Sequence, residues 1–331
     1  MIIANFSRKA AKAMNTETER IIGQYEGVEK GPLLICLGGM HGNEPAGVQA
    51  LEILFNLLEI EPETNPNFTF KGRLLGLRGN TRAISKKMRY LEKDLNRLWT
   101  PENIARVKDT PKAELQAEDL ELKELIAIIE QNVETYQPEK IVLLDLHTTT
   151  AYGGIFSIAT DDPESVRIAV ELHAPVVKGM LEGIRGTTLH YFNSSNFSRP
   201  TAAVSFESGQ HDEPLSVNRA IAAIINCMRT TGCVRAEHVE NRHDALLIEY
   251  SKNLPKVLEL ISCHDIQPGD DFHMMPNYDN FQSVKKGELL AHDRHGPIYA
   301  KADGRILMPL YQQQGDDGFF LIRTVGEGRG D

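Results

Sequence analysis

The sequence is poor in three things, and each shortage excludes something. Its 331 residues include only four cysteines, Cys36, Cys227, Cys233 and Cys263, with no CxxC pair among them. Cys36 lies inside an apolar run, so these read as reduced, mostly buried thiols rather than a disulfide framework. Long apolar runs are missing as well. Nothing approaches the roughly 20 residues needed to span a bilayer, and the N-terminal MIIANFSRKAAKAMNTE has no apolar stretch of signal-peptide length. These absences point to a cytoplasmic protein without a membrane partner. The third shortage is positive charge: 36 Lys plus Arg face 46 Asp plus Glu, a net charge of -10. That average field repels a polyanion and argues against nucleic acid as a partner. A local basic patch for a small acidic substrate is still compatible with it.

What is present is an ordinary globular composition, 41% hydrophobic and 25% charged, enough for a full core and a second domain. Strand and helix signals alternate over the first two thirds. Leu33 to Leu37 (LLICL) is a short continuous apolar run, as expected of a strand buried on both faces. Val48, Leu51, Leu54, Phe55 and Leu58 then recur at helical spacing, with Pro62 expected to stop the helix. Arg73 to Leu77 suits a second strand, and Glu118 to Glu134 an amphipathic helix with an acidic start. Strands follow at Ile141 to Leu146, Gly154 to Ala159 and Ala202 to Phe206, then a helix from about Leu215 to Met228. Such alternation implies an α/β fold with a largely parallel sheet flanked by helices. Beyond Val234 the segments LLIEYS, GELLAH, GPIYA, GRILMPL and GFFLIR are short and punctuated by Gly or Pro. They predict a smaller, mainly β C-terminal domain over 235–331, after an α/β domain over 1–234.

Three polar clusters directly follow buried strands: Gly38-Gly39-Met40-His41-Gly42-Asn43-Glu44, Asp145-Leu146-His147 and Phe206-Glu207-Ser208-Gly209. Ligand sites of open α/β sheets lie outside the carboxyl ends of the strands, so these clusters are placed to share one crevice. His41, Glu44 and His147 together supply two imidazoles and one carboxylate, which leaves a fourth tetrahedral position open, as catalytic zinc requires. A second carboxylate that is not a ligand then serves as proton acceptor, and Glu207 is placed for it. Each piece alone has an ordinary explanation: HxxE arises by chance, a histidine often satisfies a strand end, and a glutamate often caps a helix. All three after buried strands make the ordinary explanations insufficient. Between Glu44 and His147 runs RYLEKDLNRLW, residues 89–99. Its arginines and asparagine suit a clamp for a carboxylated substrate and a cation facing an oxyanion.

GGMHGNEPAG, RYLEKDLNRLW, LLDLHTTT and FESGQ, in that order, resemble the succinylglutamate desuccinylase and aspartoacylase family, a branch of the zinc-carboxypeptidase-like fold. GELLAHDRHGPIYAKADGRILMPLY resembles the family's β domain, which caps the active site. The resemblance implies one zinc per chain, held by His41, Glu44 and His147, with Glu207 as general base and Arg89 polarising the scissile carbonyl. It further implies Asn96 and Arg97 on the substrate carboxylate, and Asp94 orienting a ligand histidine. The implied reaction is hydrolysis of an N-acyl amino acid, of acetyl or succinyl type, by metal-activated water. The chain departs from the aspartoacylase pattern after the glutamate, where Gly-Pro-Gln is replaced by Ser208-Gly209-Gln210-His211. Tyr191 and Arg199 are weak counterparts for an upstream Tyr and Arg, and Phe319-Phe320 replaces a Tyr-Tyr pair. These changes argue against acetylaspartate as substrate.

Two other readings stay open at this level: a zinc carboxypeptidase acting on a small peptide, and a metal- or ligand-binding protein without turnover. The acyl group, the amino acid and the oligomeric state, including a homodimer, stay open too. His190, His211, His264, His273, His292 and His295 have no partner at ligand spacing and are expected at the surface or in hydrogen bonds.

Overall fold

A computed structural model describes residues 19–238 and 242–325; the expectations for the N-terminal stretch fall outside these. The strands run in chain order as β1 (Ile21–Glu26), β2 (Glu29–Gly38), β3 (Lys71–Arg78), β4 (Ile141–Thr149), β5 (Phe156–Ala159), β6 (Val176–Lys178) and β7 (Thr201–Gln210). They continue as β8 (Val257–Asp265), β9 (His273–Met274), β10 (Ser283–Val284), β11 (Leu289–Asp293), β12 (Gly296–Tyr299), β13 (Gly304–Leu307) and β14 (Asp317–Thr324). Eleven of them form one sheet in the order β1-β3-β2-β4-β7-β5-β6-β8-β14-β13-β10, and β12-β11-β9 form a small separate sheet. The centre, β3-β2-β4-β7, is parallel. The C-terminal strands β8, β14, β13 and β10 are antiparallel to one another. The expected α/β class with a C-terminal β region is thus observed. The expected division near residue 234 lies on a continuous sheet, because β8 pairs with β6 in parallel.

The apolar runs explain the layers. A strand alternates its side chains between faces, so Leu33, Ile35 and Leu37 of β2 enter one core with Ile141 and Leu143 of β4. There they meet Leu122, Leu125 and Ile129 of helix Ala117–Tyr136. Leu34 and Cys36 face the other core, with Val142 and Leu144, against helices Ala46–Thr64 and Leu215–Thr231. All four cysteines are free, and three are buried.

Two local expectations are corrected. The first helix continues through Pro62 to Thr64. Proline fixes a helical φ and removes only one N–H, so close to the end of a helix it does not by itself terminate it. The segment LLIEYS is not a strand but lies in the helix Arg242–Ser251, whose Leu247 is fully buried. A six-residue apolar stretch without alternation carries no period that separates helix from strand.

Candidate functional site

The three polar clusters meet at the carboxyl ends of β2, β4 and β7. Close packing delivers the first of them. A Cβ on Gly47 would lie 2.8 Å from Leu146 Cβ, and one on Gly42 would lie 2.1 Å from the Ala83 carbonyl carbon. Only glycine lets the His41–Glu44 turn sit this tightly between β4 and the helix Thr81–Lys86. The Glu44 N–H donates to His41 O at 3.1 Å and the Gly42 N–H to Arg89 O at 3.1 Å, closing the turn.

Glu44 is buried and central. Its Oε1 lies 2.8 Å from His41 Nδ1 and its Oε2 3.1 Å from His147 Nδ1, while Thr148 N–H donates to Oε2 at 3.0 Å. Burial pushes its carboxyl upward, but the charge of His41 and hydrogen bonds from both histidines reverse this and hold it well below the usual range. Both imidazoles present Nδ1 to the same point, and their outer nitrogens are each held by a buried carboxylate. His41 Nε2 lies 3.1 Å from Asp94 Oδ1, and His147 Nε2 lies 3.1 Å from Asp145 Oδ2. Ligand atoms of His41, Glu44 and His147 all fall within 4.8 Å of one another. A donor set of two imidazoles and one carboxylate, with the far side of each ring fixed by an acid, is chemically fitted to a divalent metal. A second set, Cys263, Asp265 and Asp317, also gathers within 4.8 Å, but Asp317 there is ion-paired with Arg97.

Asp94 does two jobs. Besides His41 it takes the guanidinium of Arg89, at 3.2 Å from Nε and 2.9 Å from the terminal nitrogen. Burial would raise its carboxyl, but Arg89 and then His41 outweigh burial and hold it well below the usual range. Another Arg89 nitrogen lies 3.7 Å from Glu44 Oε1. The loop that carries these residues is fixed from beneath by Glu118, fully buried in the first turn of its helix. Glu118 accepts from the N–H groups of Leu91 at 2.6 Å, Glu92 at 3.0 Å and Lys93 at 3.1 Å, and from Asn80 Nδ2 at 2.9 Å. The acidic helix start thus serves as an anchor, beyond its favourable place in the helix dipole. Asn96 and Arg97 follow on a short 3-10 turn. Asn96 Oδ1 accepts from Thr188 N at 3.2 Å, and Arg97 pairs with Asp317.

Glu207 lies opposite His147 in the β4–β7 register. It is buried, and its Oε2 has no hydrogen-bond partner. Burial raises its carboxyl to about 8; His147 pulls it down, while Glu44 and Asp145 push it up. An orphaned buried oxygen calls for an explanation, and the residue that carries it lines the same cleft as the two histidines. One cleft is lined by His41, Glu44, Arg89, Asn96, Arg97, His147 and Glu207. The seven residues expected as metal ligands, base, carbonyl-facing arginine and carboxylate clamp therefore line one cleft.

Tyr191 and Arg199 do not. Tyr191 packs on Trp99 and bonds to Glu130, and Arg199 bonds to Pro138 O and Gln137. Of the Phe pair only Phe320 faces the cleft; Phe319 points the other way and stacks on His264. Among the cleft residues without a role assigned from the sequence are His211, Asp145 and Asp317. His211 shows no ligand spacing, yet it lines the cleft with Nδ1 2.7 Å from Thr148 Oγ1 and a buried Nε2 without partner. Asp145 sits within the DLH cluster, but its contacts with His147 and Thr188 emerge only in three dimensions. Asp317 is brought in from the last strand.

Comparison with known proteins agrees with this arrangement. The profile of the succinylglutamate desuccinylase/aspartoacylase catalytic domain matches residues 30–228, and the chain belongs to that family. A probable aspartoacylase from Nostoc sp. is 30% identical over 145 residues, 43% of this chain and 45% of that protein. A succinylglutamate desuccinylase from Pseudomonas fluorescens is 38% identical over 77 residues, 22% of this chain and 21% of that protein. The chain thus spans less than half the length of these curated relatives. The crystal structure of a succinylglutamate desuccinylase/aspartoacylase from Rhodobacter sphaeroides superposes with a TM-score of 0.61 at 16% identity, covering 92% of this chain and 88% of that one. No helix among the described residues is long and apolar enough to cross a membrane.

Proposed function

We propose that this protein is a zinc-dependent amidohydrolase that cleaves an N-acyl amino acid into a carboxylate and a free amino acid. His41, Glu44 and His147 would hold one zinc per chain. When bound, zinc acts as a Lewis acid that brings the pKa of a coordinated water to about 7 and polarises a carbonyl. Asp94 and Asp145 keep each ligand imidazole in the tautomer that leaves Nδ1 free to coordinate. Glu207 would take the proton of the attacking water and later deliver it to the departing amine. Arg89, fixed on Asp94, faces the oxygen of the scissile carbonyl and stabilises the charge that develops there. Asn96 and Arg97 hold the substrate carboxylate.

The observation that carries this reading is one pairing of features: a convergent His-Glu-His set, and a buried, partnerless Glu207 oxygen directly across the strand ladder. It is tested by loading the protein with zinc and offering N-acetyl and N-succinyl amino acids beside short peptides, with release of free amine as the readout. Amine release from acyl amino acids, with about one zinc per chain, is expected. Release from the peptides alone, or none with zinc bound, overturns the proposal.

A further inference from the structure

Away from the proposed metal ligands, the supporting Asp145 and the base Glu207, the cleft lining carries two arginines, Arg89 and Arg97, and two carboxylates, Asp316 and Asp317. Neither arginine is unengaged: Arg89 is bound by Asp94, and Arg97 by Asp317 and the Asn96 carbonyl. Asp316 is in the opposite condition. It lies at the mouth of the cleft, and among the described residues its carboxylate has no ion pair or hydrogen bond. Partial burial and the neighbouring charges of Asp94 and Asp317 disfavour its charged form, more than Arg97 and Arg89 favour it. A substrate that brings only further carboxylates to this end compounds the repulsion; one that brings a cation relieves it. Apolar contacts suit the intervening chain, since Met308, Leu310 and Phe320 line the same cleft.

We infer that the amino acid released carries a second, cationic nitrogen on its side chain, with Asp316 as its counter-ion and Asp317 as the residue that sets selectivity against acidic substrates. This rests on the amidohydrolase reading above and narrows it. The substrate α-carboxylate shares Arg97 with Asp317, so a single carboxylate is accommodated. A second one, as in an acylated aspartate or glutamate, finds no unpaired arginine. Asp317 therefore acts through Arg97, whereas Asp316 meets the substrate directly.

The test uses the zinc-loaded full chain with Nα-acetyllysine, Nα-acetylornithine, Nα-acetylnorleucine, N-acetylaspartate and N-succinylglutamate. The native protein is expected to favour the two basic substrates over the neutral norleucine derivative in kcat/KM by about fivefold or more, the scale of one partly exposed ion pair. Asp316→Asn should bring that ratio close to unity, chiefly through KM, with kcat on the norleucine derivative preserved. Asp317→Asn should free Arg97 and raise kcat/KM for N-acetylaspartate. Thermal unfolding of each variant distinguishes loss of preference from loss of fold. Preference for the acidic substrates in the native protein, or an unchanged ratio in a folded Asp316→Asn, overturns this inference while leaving the amidohydrolase reading intact. Hydrolysis of none of the five overturns both.

Discussion

Glu207 shows how a single position can be tuned by its surroundings. Its carboxyl is raised to about 8 by burial and by Glu44 and Asp145, with no hydrogen bond to offset the loss of water. In metal-free protein the folded state therefore keeps a proton that the unfolded chain has already released above about pH 4.3. Between that value and about 8 the native state binds more protons, so stability falls as pH rises, at up to about 1.4 kcal/mol per pH unit. Urea titrations of chelated protein should show this slope and its flattening in Glu207→Gln; equal slopes would count against the assigned environment. With zinc bound, the same variant should lose turnover by about a hundredfold or more while keeping its metal, as read from metal content and amine release. His41, Glu44, His147 and Glu207 are legible in the sequence because each stands within a few residues of a buried apolar run. Asp317 and His211 are not, because their contacts to Arg97 and Thr148 link positions distant along the chain.

Among the secondary-structure elements, the helix Ala117–Tyr136 bears most directly on chemistry it does not touch. Glu118 collects three backbone N–H groups of the loop that presents Arg89 and Asp94. Removing a buried acceptor leaves its donors unsatisfied, at about 1–3 kcal/mol each. Glu118→Ala should therefore destabilise the fold by about 3 kcal/mol or more, and Glu118→Gln, which keeps one acceptor oxygen, by less. Denaturant midpoints measure both, and a cost under about 1 kcal/mol for the alanine variant would mean the loop holds itself. The acidic residues at the start of this helix are visible in the sequence, but their partners are not: an acidic first turn suits solvent, a helix dipole or an anchor equally well. The buried strands were legible because continuous apolar runs of this length admit few alternatives. The segment LLIEYS carries no period that separates strand from helix, and in the fold it is helical.

Over the whole chain, the two regions expected from the sequence share material. Leu258 of β8, Leu307 of β13, and Phe320 and Ile322 of β14 belong to the same core as Leu33 and Ile35 of β2. Asn280 ties them further, donating to Thr149 Oγ1 and Ala151 O at 3.0 Å each and accepting from Met308 N at 2.7 Å. A chain ending at residue 234 should consequently lose fixed packing, with near-ultraviolet dichroism weakened and dye-accessible apolar surface exposed. A cooperatively unfolding, soluble fragment would show that the first region stands alone. Composition and texture change near residue 234, but they carry no information on whether the later strands join the first sheet, because pairing is set by register and not by local pattern.

The parallel pairing of β6 with β8 has a consequence for traffic through the cleft. Backbone hydrogen bonds cross from one region to the other, so the C-terminal part cannot swing aside like a hinged cover without tearing the ladder. Under the proposed reading, substrate and products would pass a rim that stays in place, and the turn leading into β14 contributes Gln312 and Asp316 to the cleft lining.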